Sequence, residues 1–140
     1  MYFARLFVLW LTPKLLSLGS KTEKTAFRFV LRSFIRNFAP MIIYNTTYTM
    51  PVSDARNFVI WLRQSMLPRV EADQTLVDAR LMRVLSHHDE QSECFSLQFA
   101  VADTATLHQW FVRQGQALAA ELQKTFEGRI IGFSTLMEEI

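Results

Sequence analysis

Residues 41–140 are predicted to form an α+β fold with elements in the order β-α-β-β-α-β, and three features of the sequence lead there. Two segments carry apolar residues at helical spacing, and four carry β-branched runs or alternation of strand period. Each helical segment falls between two strand-like ones, which fits a single layered domain. The chain also changes character at residue 40. Residues 1–40 hold seven of the fifteen Lys and Arg against one acid, a net +6, whereas residues 41–140 hold eight against twelve acids, a net −4.

The first strand is Ile42 to Met50, rich in the Ile, Tyr and Thr that suit a pleated surface. Ile42, Tyr44, Thr46, Tyr48 and Met50 share its more apolar face, which is assigned to the core; Ile43, Asn45, Thr47 and Thr49 lie opposite. Pro51 cannot donate to a ladder and ends the strand. Ser53 is the expected N-cap of the first helix, with Asp54 in its first turn, where a negative charge suits the helix dipole. Ala55, Phe58, Val59, Leu62 and Met66 form a buried stripe, and Pro68 should stop or kink the helix near Leu67.

Leu76 to His87 reads as a long second strand with ambiguous faces. Val77, Ala79, Leu81 and Leu85 share one face with Arg83 among them, and Met82 and Val84 share the other with Asp78 and Arg80. The polar stretch from His88 to Ser92 forms the hairpin loop. Cys94 to Val101 then alternates cleanly, with Phe95, Leu97, Phe99 and Val101 inward and Cys94, Ser96, Gln98 and Ala100 outward. Asp103 or Thr104 caps the second helix. Its inner face is read as Leu107, Phe111, Leu118 and Leu122, with Trp110 and Ala117 beside them. Gly115 costs that helix roughly 1 kcal/mol against Ala, and Gly128 supplies its stop. Ile130 to Met137 is the fourth strand.

This order is the ferredoxin-like arrangement, a four-stranded antiparallel sheet with two helices on one face. The other face stays open. Ile43, Ile130 and Leu136 are assigned to it and would be stranded in a monomer, so a homodimer through the open sheet face is expected.

Three stretches resemble a known family: MIIYN at 41–45, ARLMRVLSHHDE at 79–90 and FEGRIIGFSTLMEE at 126–139. Together they are similar to a small bacterial family of short proteins known as domain of unknown function 4286. Its members begin with a Met-Ile-Ile-Tyr-Asn-like segment and end with a Phe-x-Gly-x-x-x-x-Phe-x-Thr-Leu-Leu-Glu-like one. Phe126, Gly128, Phe133, Thr135, Leu136 and Glu138 match the latter, and Met137 stands where the second Leu would be. The resemblance covers residues 41–140 and none of the leader. It brings no activity and no catalytic residues, and its architecture is similar to that of dimeric α+β barrel proteins only at the level of fold.

The leader has readings of its own. The apolar run from Leu6 to Leu11 is bounded by Arg5 and by Pro13-Lys14, and it falls short of the roughly 20 residues a membrane span needs. One Arg ahead of it and the interruption at Lys14 make it a poor secretory signal. Phe27, Leu31, Phe34 and Phe38 share a helical face, with Arg28, Arg32 and Arg36 on a neighbouring one. A basic amphipathic helix over residues 24–38 can lie on an anionic membrane surface. The favoured reading is that Met41 is the natural start and residues 1–40 a mis-assigned or poorly ordered extension. No membrane contact is then expected unless residues 24–38 are retained.

The domain is poorly equipped for several kinds of chemistry. Its net negative charge gives no reason to expect phosphate-backbone binding. The third strand, from Glu93 to Ala100, lacks the basic and aromatic pattern of RNA-binding βαββαβ domains, so no nucleic acid is expected. No Gly-rich phosphate loop is present. His87, His88 and Cys94 are the only soft-ligand cluster, and neighbouring His on a strand point to opposite faces. No metal site and no cofactor are expected. A Cys94–His87 nucleophile–base pair has no recognisable context, and His108 reads as surface. A single cysteine excludes an internal disulfide and fits a reducing, cytoplasmic compartment.

Tyr44, Tyr48, Trp61, Arg80 and Trp110 are the possible pocket, aromatic walls with one cation between sheet and helices. The plainer reading is that the aromatics are core and Arg80 a surface cation. The preferred function is a non-catalytic homodimeric binding or interaction module of unknown ligand. The alternative is a dimeric α+β barrel enzyme acting on a small hydrophobic substrate in the sheet–helix cleft. A closed apolar core would argue against the enzyme; a formed pocket holding a group of perturbed pKa would favour it.

Overall fold

The computed structural model describes residues 25–30 and 41–140. Residues 25–30 are helical, and the rest of the stripe that begins at Phe27 and Arg28 lies outside the described residues. Residues 40–140 form a unit of their own. In it, β1 (Ile42–Pro51) leads into a long helical rod made of α1 (Val52–Trp61), a π turn (Leu62–Met66) and α2 (Leu67–Asp73). The hairpin of β2 (Val77–Arg83) and β3 (Ser92–Val101) follows. A second rod then runs through α3 (Thr104–Trp110), a π turn (Phe111–Gly115) and α4 (Gln116–Thr125) to β4 (Ile131–Glu138).

The sheet order is β2-β3-β1-β4, antiparallel throughout. That is the ferredoxin-like order predicted from the sequence: the two sequence-distant strands β1 and β3 pair at the centre, and β4 returns to lie beside β1. Register fixes the faces. Tyr44 sits between Phe99 and Leu136, Thr46 between Leu97 and Ser134, and Tyr48 between Phe95 and Gly132. These positions face the helical rods. The core they share includes Met50, Phe58, Leu62, Val70, Leu97, Phe99, Trp110, Leu118 and Ile130. Phe58 touches the rings of Tyr48, Phe95 and Phe126 at centroid separations of 5.1, 6.0 and 6.3 Å, tilted or edge-on contacts of the kind aromatic pairs prefer.

Five local expectations change, each for a physical reason. Pro68 does not end the first helix. The π turn ahead of it carries a bond from Leu67 N–H to the Leu62 carbonyl. This wider turn displaces the carbonyls that the pyrrolidine ring would meet in regular α geometry, so Pro68 sits in the first turn of α2 without breaking the rod. The rod stops at Gln74, whose left-handed φ of 59° returns its N–H to Val70 O.

Ser53 is not the cap. The helix begins at Val52, with Pro51 at the N-cap and no side-chain cap bond. Val52 N–H is met by Gln91 O across the sheet end instead, and Asp54 turns to Arg129, which donates from Nε at 2.7 Å. That guanidinium holds the Asp54 carboxyl below its ordinary value, and desolvation offsets only part of the effect.

β2 is shorter than predicted and is bulged. Val77 faces Ala100 and Arg80 faces Gln98, so three steps on β2 match two on β3. Asp78 takes a φ of 55° at the irregularity. Leu81 and Arg83 therefore turn to the helices, while Arg80 and Met82 turn away.

The inner face of the second rod is Leu107, Trp110, Gly115, Leu118 and Leu122, whereas Phe111 and Ala117 are exposed. The π turn over Phe111–Gly115 inserts a residue and rotates the frame. Asp103 is the cap, accepting from Thr106 N at 2.6 Å. Finally, β4 runs from Ile131 to Glu138, not from Ile130. Ile130 is fully buried in the core and Leu136 shares the helix-side face with Tyr44. The open face instead carries Ile131, Phe133 and Met137.

Candidate functional site

The core between sheet and rods is not closed. A cavity of about 190 Å³ lies beneath β1 and β4, bounded on the helix side by Trp61, Met66, Trp110, Leu118 and Leu122. Tyr44, Tyr48, Trp61 and Trp110 of the sequence-derived pocket all reach this wall. Arg80 does not. The β2 bulge swings it to the opposite sheet face, where it is exposed. Without the extra residue, Ala79 would stand opposite Gln98 and Arg80 would point at the helices.

Two glycines line the cavity. A Cβ on Gly115 would stand 2.8 Å from Trp110 Cζ3 and 2.7 Å from Phe111 Cδ2, so only glycine lets the indole lie flat against the rod there. A Cβ on Gly132 would come within 3.2 Å of Tyr48 Cε1. From sequence Gly115 was read as a cost to its helix, and Gly132 was given no role. A π turn that brings Gly115 under the indole leaves no signature in composition.

The sheet side of the wall is lined with hydroxyls. Tyr44 Oη is 3.4 Å from Ser134 Oγ, and Ser134 Oγ is 3.0 Å from Thr46 Oγ1. Tyr48 continues the series. Burial pushes its phenol up to about 12, the neighbouring Tyr44 adds to the rise, and a hydrogen bond from Thr46 offsets part of it. Tyr48 is therefore a neutral hydroxyl at physiological pH. Thr46 and Ser134 follow from strand register and were missed in the sequence. A wider groove of about 370 Å³ adjoins the cavity through Tyr44, Phe111 and Ser134, and opens beside Thr104, His108 and Leu136.

The remaining chemical candidates are engaged elsewhere. His87 Nε2 is 2.7 Å from Ser92 Oγ, and that hydroxyl donates to Asp89 Oδ2 at 2.7 Å. Since the Ser92 proton goes to the carboxylate, His87 is the donor to the serine oxygen and braces the loop. Cys94 is buried on the open sheet face, with Thr49 Oγ1 at 3.6 Å from its sulfur. Among the described residues, no group of three or more His, Cys, Asp or Glu is placed to hold a metal ion. No helix among them is long and apolar enough to cross a membrane.

The open sheet face has a polar centre and an apolar rim. Asn45, nearly buried, donates to Thr47 and Thr135 and accepts from Ser96 Oγ. Around it stand Ile131 and Phe133, 70% and 69% exposed, with the more sheltered Met137 and Met82.

Comparison with solved structures places this fold. The ethyl tert-butyl ether d (EthD) family protein of Bacillus halodurans C-125 matches 71% of this chain and 99% of its own, with a TM-score of 0.55 at 17% identity. A dimeric ferredoxin-like protein from an uncultured marine organism matches 72% of this chain and 96% of its own, with a TM-score of 0.48 at 13% identity. No match was found among curated proteins. Residues 41–140 match the family described as Domain of unknown function (DUF4286), and by that match the chain belongs to the family that its opening and closing strands resemble.

Proposed function

We propose that residues 41–140 act as a non-catalytic homodimeric binding or interaction module, two copies packing open sheet face against open sheet face. The observation that carries this reading is the pair Ile131 and Phe133 on the exposed side of β4, extended by Met82 and Met137. Exposed apolar side chains of this kind, along β4 and at the opposite edge on β2, cost solubility unless they are covered. The polar centre supports the same reading, because the Asn45 amide spends its donors on Thr47 and Thr135 and its oxygen on Ser96, and so brings no unpaired amide to an interface. A second copy is the occupant that matches this face, since an isologous contact sets its apolar rim against the same rim and leaves Arg80 on the edge strand β2. The free thiol of Cys94 supports a reducing, cytoplasmic setting.

Sedimentation of the chain at micromolar concentration is expected to give twice the monomer mass. Phe133→Asp should return it to monomer mass with an unchanged circular dichroism spectrum. A wild-type chain that sediments as monomer at that concentration overturns the proposal.

A second reading, an enzyme of the dimeric α+β barrel kind acting on a small hydrophobic substrate, draws support from the formed cavity. The raised pKa of Tyr48 counts against Tyr48 as a base, because the phenol keeps its proton far above neutrality.

A further inference from the structure

We infer that the cavity beneath β1 and β4 is a binding site for an uncharged single-ring molecule carrying one oxygen function, of the phenol or cyclic-alcohol class, with its oxygen on Ser134 and Thr46. The inference goes beyond both readings above, since it requires neither a dimer nor a reaction. Three observations carry it.

The first is size. The cavity measures about 190 Å³, and an apolar cavity of roughly 150 Å³ is enough to hold benzene. One substituted ring fills it, and a fused bicycle would have to extend into the adjoining groove.

The second is charge. Among the described residues, no Asp, Glu, Lys, Arg or His contributes to the wall. A charged ligand would be desolvated there without a counter-ion, a cost that excludes carboxylates and amines. Arg80, the cation that sequence alone placed here, lies on the other face of the sheet.

The third is the hydroxyl series Tyr44, Ser134, Thr46 and Tyr48 along a wall that also carries Gln123, whose amide donates to Ile130 O. Three of them, Tyr44, Ser134 and Thr46, are joined by two contacts, which leave one O–H without an acceptor in the series. A ligand oxygen supplies that acceptor. Ser134 also borders the adjoining groove, so the polar end of an entering ring meets a hydroxyl before the ring is engulfed. The aromatic walls Trp61 and Trp110 give the ring edge and face contacts.

Calorimetric titration of the full chain at pH 7 with 4-methylphenol, toluene and 4-methylbenzoate separates these claims. The phenol is expected to bind saturably at one per chain. Toluene, which keeps the ring and loses the oxygen, should bind about three- to tenfold more weakly, the worth of one net hydrogen bond. The carboxylate should not bind. Ser134→Ala and the near-isosteric Thr46→Val should each bring the phenol towards the toluene affinity while leaving toluene unchanged. A phenol that never saturates would leave the cavity to water and overturn the inference. Benzoate binding on a par with the phenol, or variants that leave the phenol affinity untouched, would overturn it equally. Sedimentation of the same samples reports separately on dimerisation.

Discussion

Gly115 shows how a residue can be read correctly by propensity and wrongly by context. In an exposed helix, Gly→Ala is favourable by about 1 kcal/mol. Here the added methyl meets the ring of Trp110, which is 2% exposed and could yield only into the cavity it lines. Gly115→Ala is expected to destabilise the fold by about 1–3 kcal/mol, the usual cost of overpacking, and urea denaturation measures it. Tyr48 gives a second prediction at this scale. Its phenol is ordinary when unfolded and is pushed up to about 12 when folded. The neutral form is favoured by folding, so its contribution is fully present below pH 10 and is lost as pH rises towards 12. That loss approaches about 3 kcal/mol. Tyr48→Phe should flatten the alkaline limb of a stability–pH profile across this window, whatever it does to stability at neutral pH.

The elements were legible to different degrees, and the reasons differ. β1 and β3 were readable because alternation survives in the sequence when a strand has one buried face, as Phe95, Leu97, Phe99 and Val101 show. β2 was not, because the bulge at Asp78 breaks the period of two, so no single alternation describes both its ends. The rods were readable as helices, the first in phase over Ala55, Phe58, Leu62 and Met66. In the second, the inserted residue of the π turn changes the phase between its two halves, so that Trp110 and not Phe111 shares the buried side with Leu118 and Leu122. The same device explains Pro68. In a regular helix interior, replacing such a proline by Ala would gain about 3 kcal/mol. Since the π turn already accommodates the ring, Pro68→Ala is expected to change stability by less than about 1 kcal/mol, with a small loss from the freer unfolded chain. Chemical denaturation distinguishes these values easily.

At the scale of the whole domain, the sheet separates two surfaces of different character. The helix side holds the cavity with its hydroxyls, and the open side holds the rim. The sequence identified most of the aromatic wall, with the two tyrosine hydroxyls, but not those of Thr46 and Ser134, which meet only once β1 and β4 are paired, 88 residues apart. It also placed the apolar rim on the wrong residues of β4, since a one-residue error in where a strand begins exchanges its faces. Ile130 and Ile131 are adjacent, yet one is sealed in the core and the other is mostly in solvent. A matched pair of variants tests this partition: Ile130→Lys should unfold the domain, and Ile131→Lys should leave the fold intact and shift the dimer–monomer equilibrium towards monomer in sedimentation.

The pairing of β1 with β4 has a temporal consequence. Strand β1 is the first of the domain to leave the ribosome and β4 the last, yet the two lie side by side over eight residue pairs. While the intervening chain is made, β1 is able to pair with β3 but has one naked edge, and the pocket has no floor, since Gly132 and Ser134 are not yet there. Non-local closure of this kind is slow in any case. A nascent domain of this topology therefore passes through a three-stranded stage that exposes Tyr44, Tyr48 and Trp110 to whatever is nearby, and it becomes safe only when its final strand has been synthesised.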